Sequence, residues 1–145
     1  MTDHVIDANI SAMLVIPEEL SDKAFALVDS TLQAGDRLIA PPILPVEVTN
    51  AVRKHMRRYR LTIAQAMALL DEFLRIPIEL EMDADLHRAA LRLTERFSLG
   101  AHDAHYVALA ERLDCDLWTS DMRLLRAVGG RLPFMRFIGD YQPGQ

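Results

Sequence analysis

Short apolar runs alternate with longer segments of helical spacing along this chain, and this alternation limits its fold more than any other feature. The candidate strands are His4-Val5-Ile6 and the segments RLIAP, IPIELE, CDLWTS and FMRFI. Helical segments such as SDKAFALVDSTLQAG and VEVTNAVRKHMRRY separate them. Strands that alternate with helices form a parallel sheet covered by helices on both faces. We therefore expect an α/β fold with a central parallel sheet of four to five strands.

Two of the helical segments carry clear apolar patterns. Thr62 and Gln65 fit a capping box, and Ile63, Met67, Leu70 and Leu74 follow at spacings of three and four. This pattern predicts a helix that packs on the core through that stripe. A second core-facing helix is predicted from Leu86, Ala89, Ala90, Leu93 and Phe97. Trp118 lies inside a short apolar strand, where a position in the core is expected.

The length and the apolar segments indicate one domain without a membrane span. At 145 residues, the chain is long enough to bury one core, so we expect a single domain over residues 1–145. The apolar stretch from Ile10 to Ile16 is too short to cross a bilayer, and the first four residues lack the basic start of a signal peptide. A cytoplasmic protein is expected.

Positive charge is concentrated in one short segment. The net charge is −5, which argues against a general polyanion binder. Residues 53–60, RKHMRRYR, hold five basic side chains and no acid, and we call them the basic segment. One interpretation is the solvated face of a helix. The other is contact with an RNA backbone or a protein inhibitor, through Arg53, Lys54, Arg57, Arg58 and Arg60.

Four acidic residues fall where a parallel sheet would gather them. Asp7 directly follows the first candidate strand, and Asp121 follows the fourth after Thr119 and Ser120. Glu47 lies early in the helix after the second strand, and Asp103 starts the helix before the fourth. Ligands of open α/β sheets bind at the carboxyl ends of the strands. If the first and fourth strands are neighbours, these carboxylates share one edge.

Carboxylates that meet in this way repel one another unless cations neutralise them. The donor set is all oxygen, which suits Mg²⁺ or Mn²⁺ better than zinc. Such ions support hydrolysis of phosphodiester bonds. Each acid also has an ordinary alternative role: Asp7 as the turn residue that ends a strand and Glu47 as a first-turn acid. Asp103 could be a helix N-cap or a first-turn acid, and Asp121 a helix cap.

The chain resembles the PIN-domain ribonucleases, and more narrowly the VapC-type toxins of bacterial toxin-antitoxin pairs. The resemblance rests on the segments VIDANISAML, PPILPVEVTNAVRK, AHDAHYVALAERL and LWTSDMRLL, which run in register from the first strand towards the fifth. It implies a three-layer α/β/α fold and an acidic pocket that binds Mg²⁺ or Mn²⁺ and cuts RNA. It also implies a homodimer that is held inactive by a small antitoxin of the VapB type.

The resemblance assigns roles residue by residue. The catalytic and metal-binding acids would be Asp7, Glu47, Asp103 and Asp121, and Thr119 would orient the last acid or a bound water. Asn9 stands where serine is frequent in the family, and it is expected to support the site. His102 and His105 flank Asp103 where tyrosine and leucine are common, and we expect them on the surface or beside the ligands.

Three other functions compete with a toxin ribonuclease. A housekeeping RNA-processing nuclease would share the fold and the acids, and an inactive RNA-binding or protein-binding module would share the fold alone. A phosphotransfer domain would also place an aspartate after its first strand. That last interpretation is weaker, because the position two residues after Asp7 is Asn9 and the lysines of this chain are Lys23 and Lys54.

Overall fold

The structure, a computed structural model, describes residues 2–143 and has the alternation of strands and helices that the sequence predicts. The strands are β1 (His4–Ile6), β2 (Leu38–Ala40), β3 (Ile78–Leu80), β4 (Asp116–Thr119) and β5 (Met135–Phe137). The helices are α1 (Ala8–Met13), α2 (Ser21–Gln33), α3 (Leu44–Tyr59), α4 (Ile63–Leu74), α5 (Ala84–Phe97), α6 (Ala101–Leu113) and α7 (Met122–Val128). A 3₁₀ turn covers Ile138–Asp140.

The five strands form one parallel sheet in the order β3-β2-β1-β4-β5. The chain therefore builds the sheet outward from β1 in one direction and then adds β4 and β5 on the other side. The strand order reverses between β1 and β4, where Ile6 pairs with Trp118. This is the position where open α/β sheets bind their ligands, and Asp7 and Thr119 lie beside each other there.

Two apolar cores cover the two faces of the sheet, as the three-layer prediction requires. Successive side chains of a strand point to opposite faces, so each inner strand contributes to both cores. One core lies under α3 to α7 and includes Val5, Ile39 and Leu117. The other lies under α1 and α2 and includes Ile6, Leu38 and Trp118. The fold prediction is confirmed, and Trp118 is in the core.

The helix ends and one apolar face follow the sequence closely. Thr62 caps α4 with its hydroxyl, which accepts from the Gln65 N–H at 3.1 Å, and the Gln65 side chain accepts from the Thr62 N–H at 2.9 Å. On α5, the predicted face is buried at Leu86, Ala90, Leu93 and Phe97. The predicted capping box and the α5 face are both confirmed.

The prediction that α4 packs on the core through its long apolar stripe is wrong for three of the four residues, and Leu70 alone is partly buried against the core. Ile63, Met67 and Leu74 are exposed by 67%, 46% and 59%. The helix instead packs through Ala66 and Phe73, which are buried. Periodicity shows that residues share a face of a helix but does not show what covers that face, so the stripe forms an apolar surface instead.

Within residues 2–143, none of the helices has the length and apolar character needed to cross a membrane.

Candidate active site

Four acids, Asp7, Glu47, Asp103 and Asp121, lie at the carboxyl end of the sheet, and we call this place the acidic edge. Asp7 is the most buried of the four. It ends β1 and caps α1, and its Oδ1 accepts a hydrogen bond from the Ile10 N–H at 2.9 Å. Its side chain is almost entirely removed from solvent, with the residue 7% exposed. The pKa of Asp7 is raised to about 7, chiefly by burial and also by the charges on Asp103 and Asp121, although hydrogen bonds from Thr119 and Ile10 oppose the rise.

Thr119 connects the carboxyl ends of β1 and β4. Its hydroxyl donates to Oδ2 of Asp7 and accepts from the Asp121 N–H at 2.9 Å. The residue is fully buried at the end of β4. The expected supporting role of Thr119 therefore has a defined geometry, in which one hydroxyl orients two of the acidic residues.

Asp121 and Asp103 each begin a helix at this edge. Asp121 caps α7, and its Oδ1 accepts from the N–H groups of Arg123 and Leu124 at 2.9 and 3.2 Å. Asp103 lies half-buried in the first turn of α6. Burial raises the pKa of Asp103, the negative charge of Asp121 adds to the rise, and the charges of Arg123 and His102 oppose it. Asp121 therefore has both the capping role and a place in the acidic edge, whereas Asp103 is a first-turn acid of α6, whose N-cap is Gly100.

Glu47 reaches the same edge from α3 and is held by a tyrosine that the sequence analysis did not identify. The Tyr106 hydroxyl donates to Oε1 of Glu47 at 2.9 Å. Tyr106 is only 2% exposed, and burial, followed by the charge of Glu47, raises the pKa of its hydroxyl far above its usual range. The signal for Tyr106 was its spacing, because a residue three positions after Asp103 shares its face of α6.

Of the predicted residues around these acids, Asn9 and His102 border the acids and His105 points away from them. Asn9 is exposed on α1 and borders a groove beside the acids. His102 borders the same groove. His105 points elsewhere: its Nδ1 lies 2.6 Å from the Ala101 carbonyl, and its Nε2 lies 2.9 Å from Nδ1 of His87 on α5. The two histidines beside Asp103 therefore do not form a pair.

The four acids converge on one edge without forming a finished coordination shell. Asp7, Asp103 and Asp121 are close enough to influence one another's charge, and Tyr106 joins Glu47 to them. Among residues 2–143, no three His, Cys, Asp or Glu side chains are arranged closely enough to hold a metal ion as they stand. Both oxygens of Asp7 accept hydrogen bonds from the protein.

This donor set fits Mg²⁺ or Mn²⁺ better than it fits a metal that needs a closed protein cage. Mg²⁺ keeps several waters and usually takes only one or two carboxylates from a protein, with phosphate oxygens from a substrate. Two direct ligands and two acids acting through water would satisfy it. Zinc sites use cysteine, histidine and carboxylate ligands in a compact tetrahedron, whereas the four acids supply oxygen atoms alone.

Comparison with known proteins identifies the family to which this arrangement belongs. A family profile described as "PIN domain" matches residues 4–130. The chain belongs to the PIN-domain family. The resemblance seen in the sequence is therefore confirmed. The four acids lie in a PIN domain, at the switch point where the strand order reverses between β1 and β4.

Named relatives narrow the comparison. Ribonuclease VapC3 of Pyrobaculum aerophilum is 30% identical over 122 residues, which cover 83% of this chain and 90% of the relative. Ribonuclease VapC3 of Mycobacterium tuberculosis is 32% identical over 123 residues, which cover 77% and 88%. This PIN domain is therefore similar over most of its length to proteins named VapC ribonucleases.

Solved structures support the fold independently. A crystal structure of a Pyrobaculum aerophilum protein superposes with a TM-score of 0.69 at 22% identity, covering 95% of this chain and 90% of the other. The structure of VapBC2 from Rickettsia felis, bound to a DNA fragment from the promoter, superposes with a TM-score of 0.67 at 15% identity, covering 94% and 97%. Both likenesses extend over nearly the whole PIN domain.

Proposed function

We propose that this PIN domain is a divalent-metal-dependent ribonuclease that hydrolyses RNA phosphodiester bonds in the cytoplasm as the toxin of a toxin-antitoxin pair. The observation that carries the proposal is the convergence of four acids at the switch point of the sheet, with the pKa of Asp7 raised to about 7 by burial and by its acidic neighbours. Such a site gains free energy when a cation neutralises it. The similarity to named VapC ribonucleases supports RNA as the substrate.

We assign Asp7 and Asp103 as direct ligands of Mg²⁺ or Mn²⁺, and Glu47 and Asp121 as acids that act directly or through water. When bound, such an ion would activate a water and offset negative charge on the attacked phosphate. Asp7 and Asp103 are the two acids whose pKa is raised, first by burial and then by charged neighbours. Both backbone donors to Asp121 bind its Oδ1, so Oδ2 is left without a backbone hydrogen bond and can meet an ion directly or through water.

Other residues of the chain would hold these acids in position. The Thr119 hydroxyl fixes one oxygen of Asp7, and the α1 N-terminus fixes the other through the Ile10 N–H at 2.9 Å. The Tyr106 hydroxyl stays protonated because its pKa is raised, chiefly by burial, so it remains a donor to Glu47. Orientation by such fixed hydrogen bonds reduces the rearrangement that a reaction requires.

We also propose a homodimer and a small antitoxin partner of the VapB type. The exposed apolar stripe on α4, at Ile63, Met67 and Leu74, supports assembly with another polypeptide. The similarity to a protein in a VapBC complex supports the antitoxin. Light scattering of the purified chain should give twice the monomer mass, and a monomer mass would contradict the homodimer.

Cleavage of RNA by the purified chain tests the main proposal. With Mn²⁺, the chain should cut structured cellular RNAs, and EDTA or Asp103→Asn should abolish cleavage. Asp114→Asn is a matched control: it removes one carboxylate from the other end of α6, at a residue with φ of 51° that asparagine also tolerates. Expression of the chain alone should arrest growth, and co-expression of its antitoxin should restore it. Cleavage without growth arrest would favour a housekeeping nuclease, and intact RNA would favour an inactive module.

A further inference from the structure

A groove of about 880 Å³ leads away from the acidic edge between α1 and α3. One end is lined by Asn9, Glu47, His102 and Ser120, next to the acids. The other end is lined by Lys54, His55, Arg58 and Tyr59, which belong to the basic segment. The groove therefore joins a negative site to a positive surface in one continuous depression.

The spacing along α3 determines which basic side chains reach this groove. Glu47, Lys54 and Arg58 are separated by seven and four residues, so they share one face of the helix. At about 1.5 Å per residue, Lys54 lies ~10 Å and Arg58 ~16 Å along the axis from Glu47. Arg53 and Arg57 point to other sides of α3 and do not line the groove. The basic segment is thus divided into groove-facing and outward-facing charges.

The groove-facing charges are available to an anionic ligand. Lys54 and Arg58 are exposed, and neither forms a salt bridge with another residue of the described chain. Glu18 lines the groove as well and is the one acid there besides Glu47. A phosphate backbone that enters the groove would therefore meet two unpaired cations after it leaves the acidic edge.

An aromatic surface lies at the far end of the groove. The rings of His55 and Tyr59 have their centroids 4.7 Å apart at an interplanar angle of 48°. The Arg58 guanidinium carbon lies 5.4 Å from the centre of the Tyr59 ring. Tyr59 is 58% exposed, so part of its ring is open. Exposed aromatic rings beside cations stack the unpaired bases of single-stranded nucleic acids.

We propose that this groove binds single-stranded RNA on one side of the cleaved phosphate, with Lys54 and Arg58 on backbone phosphates and Tyr59 stacked on a base. This inference rests on the proposed ribonuclease function. A stacked strand rises ~3.4 Å per nucleotide, so a cation ~16 Å from Glu47 contacts the strand several nucleotides from the cut. The positive charges in the groove attract a polyphosphate, and the groove continues directly into the acidic edge. Both features favour RNA over a protein ligand.

Matched double substitutions test the groove. Lys54→Ala with Arg58→Ala removes two groove charges, and Arg53→Ala with Arg57→Ala removes two charges from other sides of the same helix. Each pair is introduced into an Asp103→Asn background so that the RNA stays intact. Fluorescence anisotropy with a labelled single-stranded RNA of about twelve nucleotides, within the usual range of single-strand sites, then gives Kd as a function of salt. Melting curves confirm that both proteins are folded.

The groove pair should weaken RNA binding at least ~10-fold at low salt and should reduce the slope of log Kd against log salt by about 1.4, which is ~0.7 for each lost phosphate contact. The outward pair should change Kd by less than ~3-fold. Tyr59→Ala should weaken binding roughly 10-fold, and Tyr59→Phe should restore it because the stacking face is kept.

The outcomes separate this inference from the proposed function. If the unmodified chain cleaves RNA but the two double substitutions weaken binding equally, the groove assignment is overturned and the ribonuclease stands. If the groove pair loses only the binding of the antitoxin, the groove is a protein site and the inference is again overturned. If the chain neither binds nor cleaves RNA, both proposals fail.

Discussion

Replacing Asp7 by asparagine should stabilise the metal-free protein at neutral pH and lose that advantage in acid. The carboxyl group is buried, and its pKa is raised from 3.8 to about 7, chiefly by burial. Well below the unfolded pKa of 3.8, the group is neutral in both the folded and the unfolded chain, so ionisation costs nothing. As the pH rises towards 7, the unfolded chain ionises first, and the folded state becomes progressively less stable relative to it.

The pKa difference sets the size of this effect. A shift from 3.8 to about 7 corresponds to roughly 4 kcal/mol at about 1.4 kcal/mol per pH unit. For a chain of this length, that free energy shifts the melting temperature by roughly 10 °C. Asparagine does not titrate, so the difference in unfolding free energy between Asp7→Asn and the unmodified chain should grow from pH 4 to pH 7 and then level off.

Urea unfolding in EDTA at several pH values measures this difference. The change of the difference with pH is diagnostic, because asparagine alters the hydrogen bond from Thr119 by an amount that does not depend on pH. Asp114→Asn, at an exposed carboxylate on the other end of α6, is the control that removes one acid outside the acidic edge. Adding Mn²⁺ should stabilise the unmodified chain above pH 7 and leave the Asp7→Asn variant unchanged. If the difference for Asp7→Asn does not change with pH, the claim that burial raises the pKa of the Asp7 carboxyl group is refuted.

Three further substitutions test the residues around this centre. Tyr106→Phe removes the hydrogen-bond donor to Glu47 and should cost about 1 kcal/mol of stability. It should also weaken Mn²⁺ binding in calorimetry, and unchanged binding would show that Tyr106 does not support the site. Thr119→Val leaves Oδ2 of the buried Asp7 and the part-buried Asp121 N–H without their partner and should cost roughly 1–3 kcal/mol. Thr119→Ser should restore most of this stability in urea unfolding. Met67→Gln, on the exposed face of α4, should change monomer stability by less than ~0.5 kcal/mol and dissociate the proposed dimer in light scattering. A dimer that persists would show that this face is not the dimer interface.

The positions of the strands, and the edge of the sheet at which the acids gather, can be predicted from the sequence. Each strand is a short apolar run, and alternate residues such as Val5 and Ile6 face opposite cores. The acids directly follow strands or begin helices, so the parallel connection alone brings Asp7 and Asp121 to one edge. The sequence pattern could not give the strand order, yet the pairing of β1 with β4 is what makes these acids neighbours.

Other features required the tertiary structure. The six-residue helix α1 was not predicted, because a short apolar segment has no polar face that reveals a helical period. The α4 stripe was assigned to the core, since its spacing is the same whether the core or a partner covers it. The bond between Tyr106 and Glu47 joins residues 59 positions apart, and no local pattern reports such a contact.

The binding of Mn²⁺ tests the central claim most directly, because it does not depend on knowing the RNA that is cut. Calorimetric titration of the unmodified chain should show Mn²⁺ binding that weakens as the pH falls and the carboxylates protonate. Combining Asp7→Asn with Asp103→Asn should abolish it, and Asp114→Asn should leave it unchanged. Undiminished Mn²⁺ binding by the double variant would contradict the assignment of these acids as a metal site.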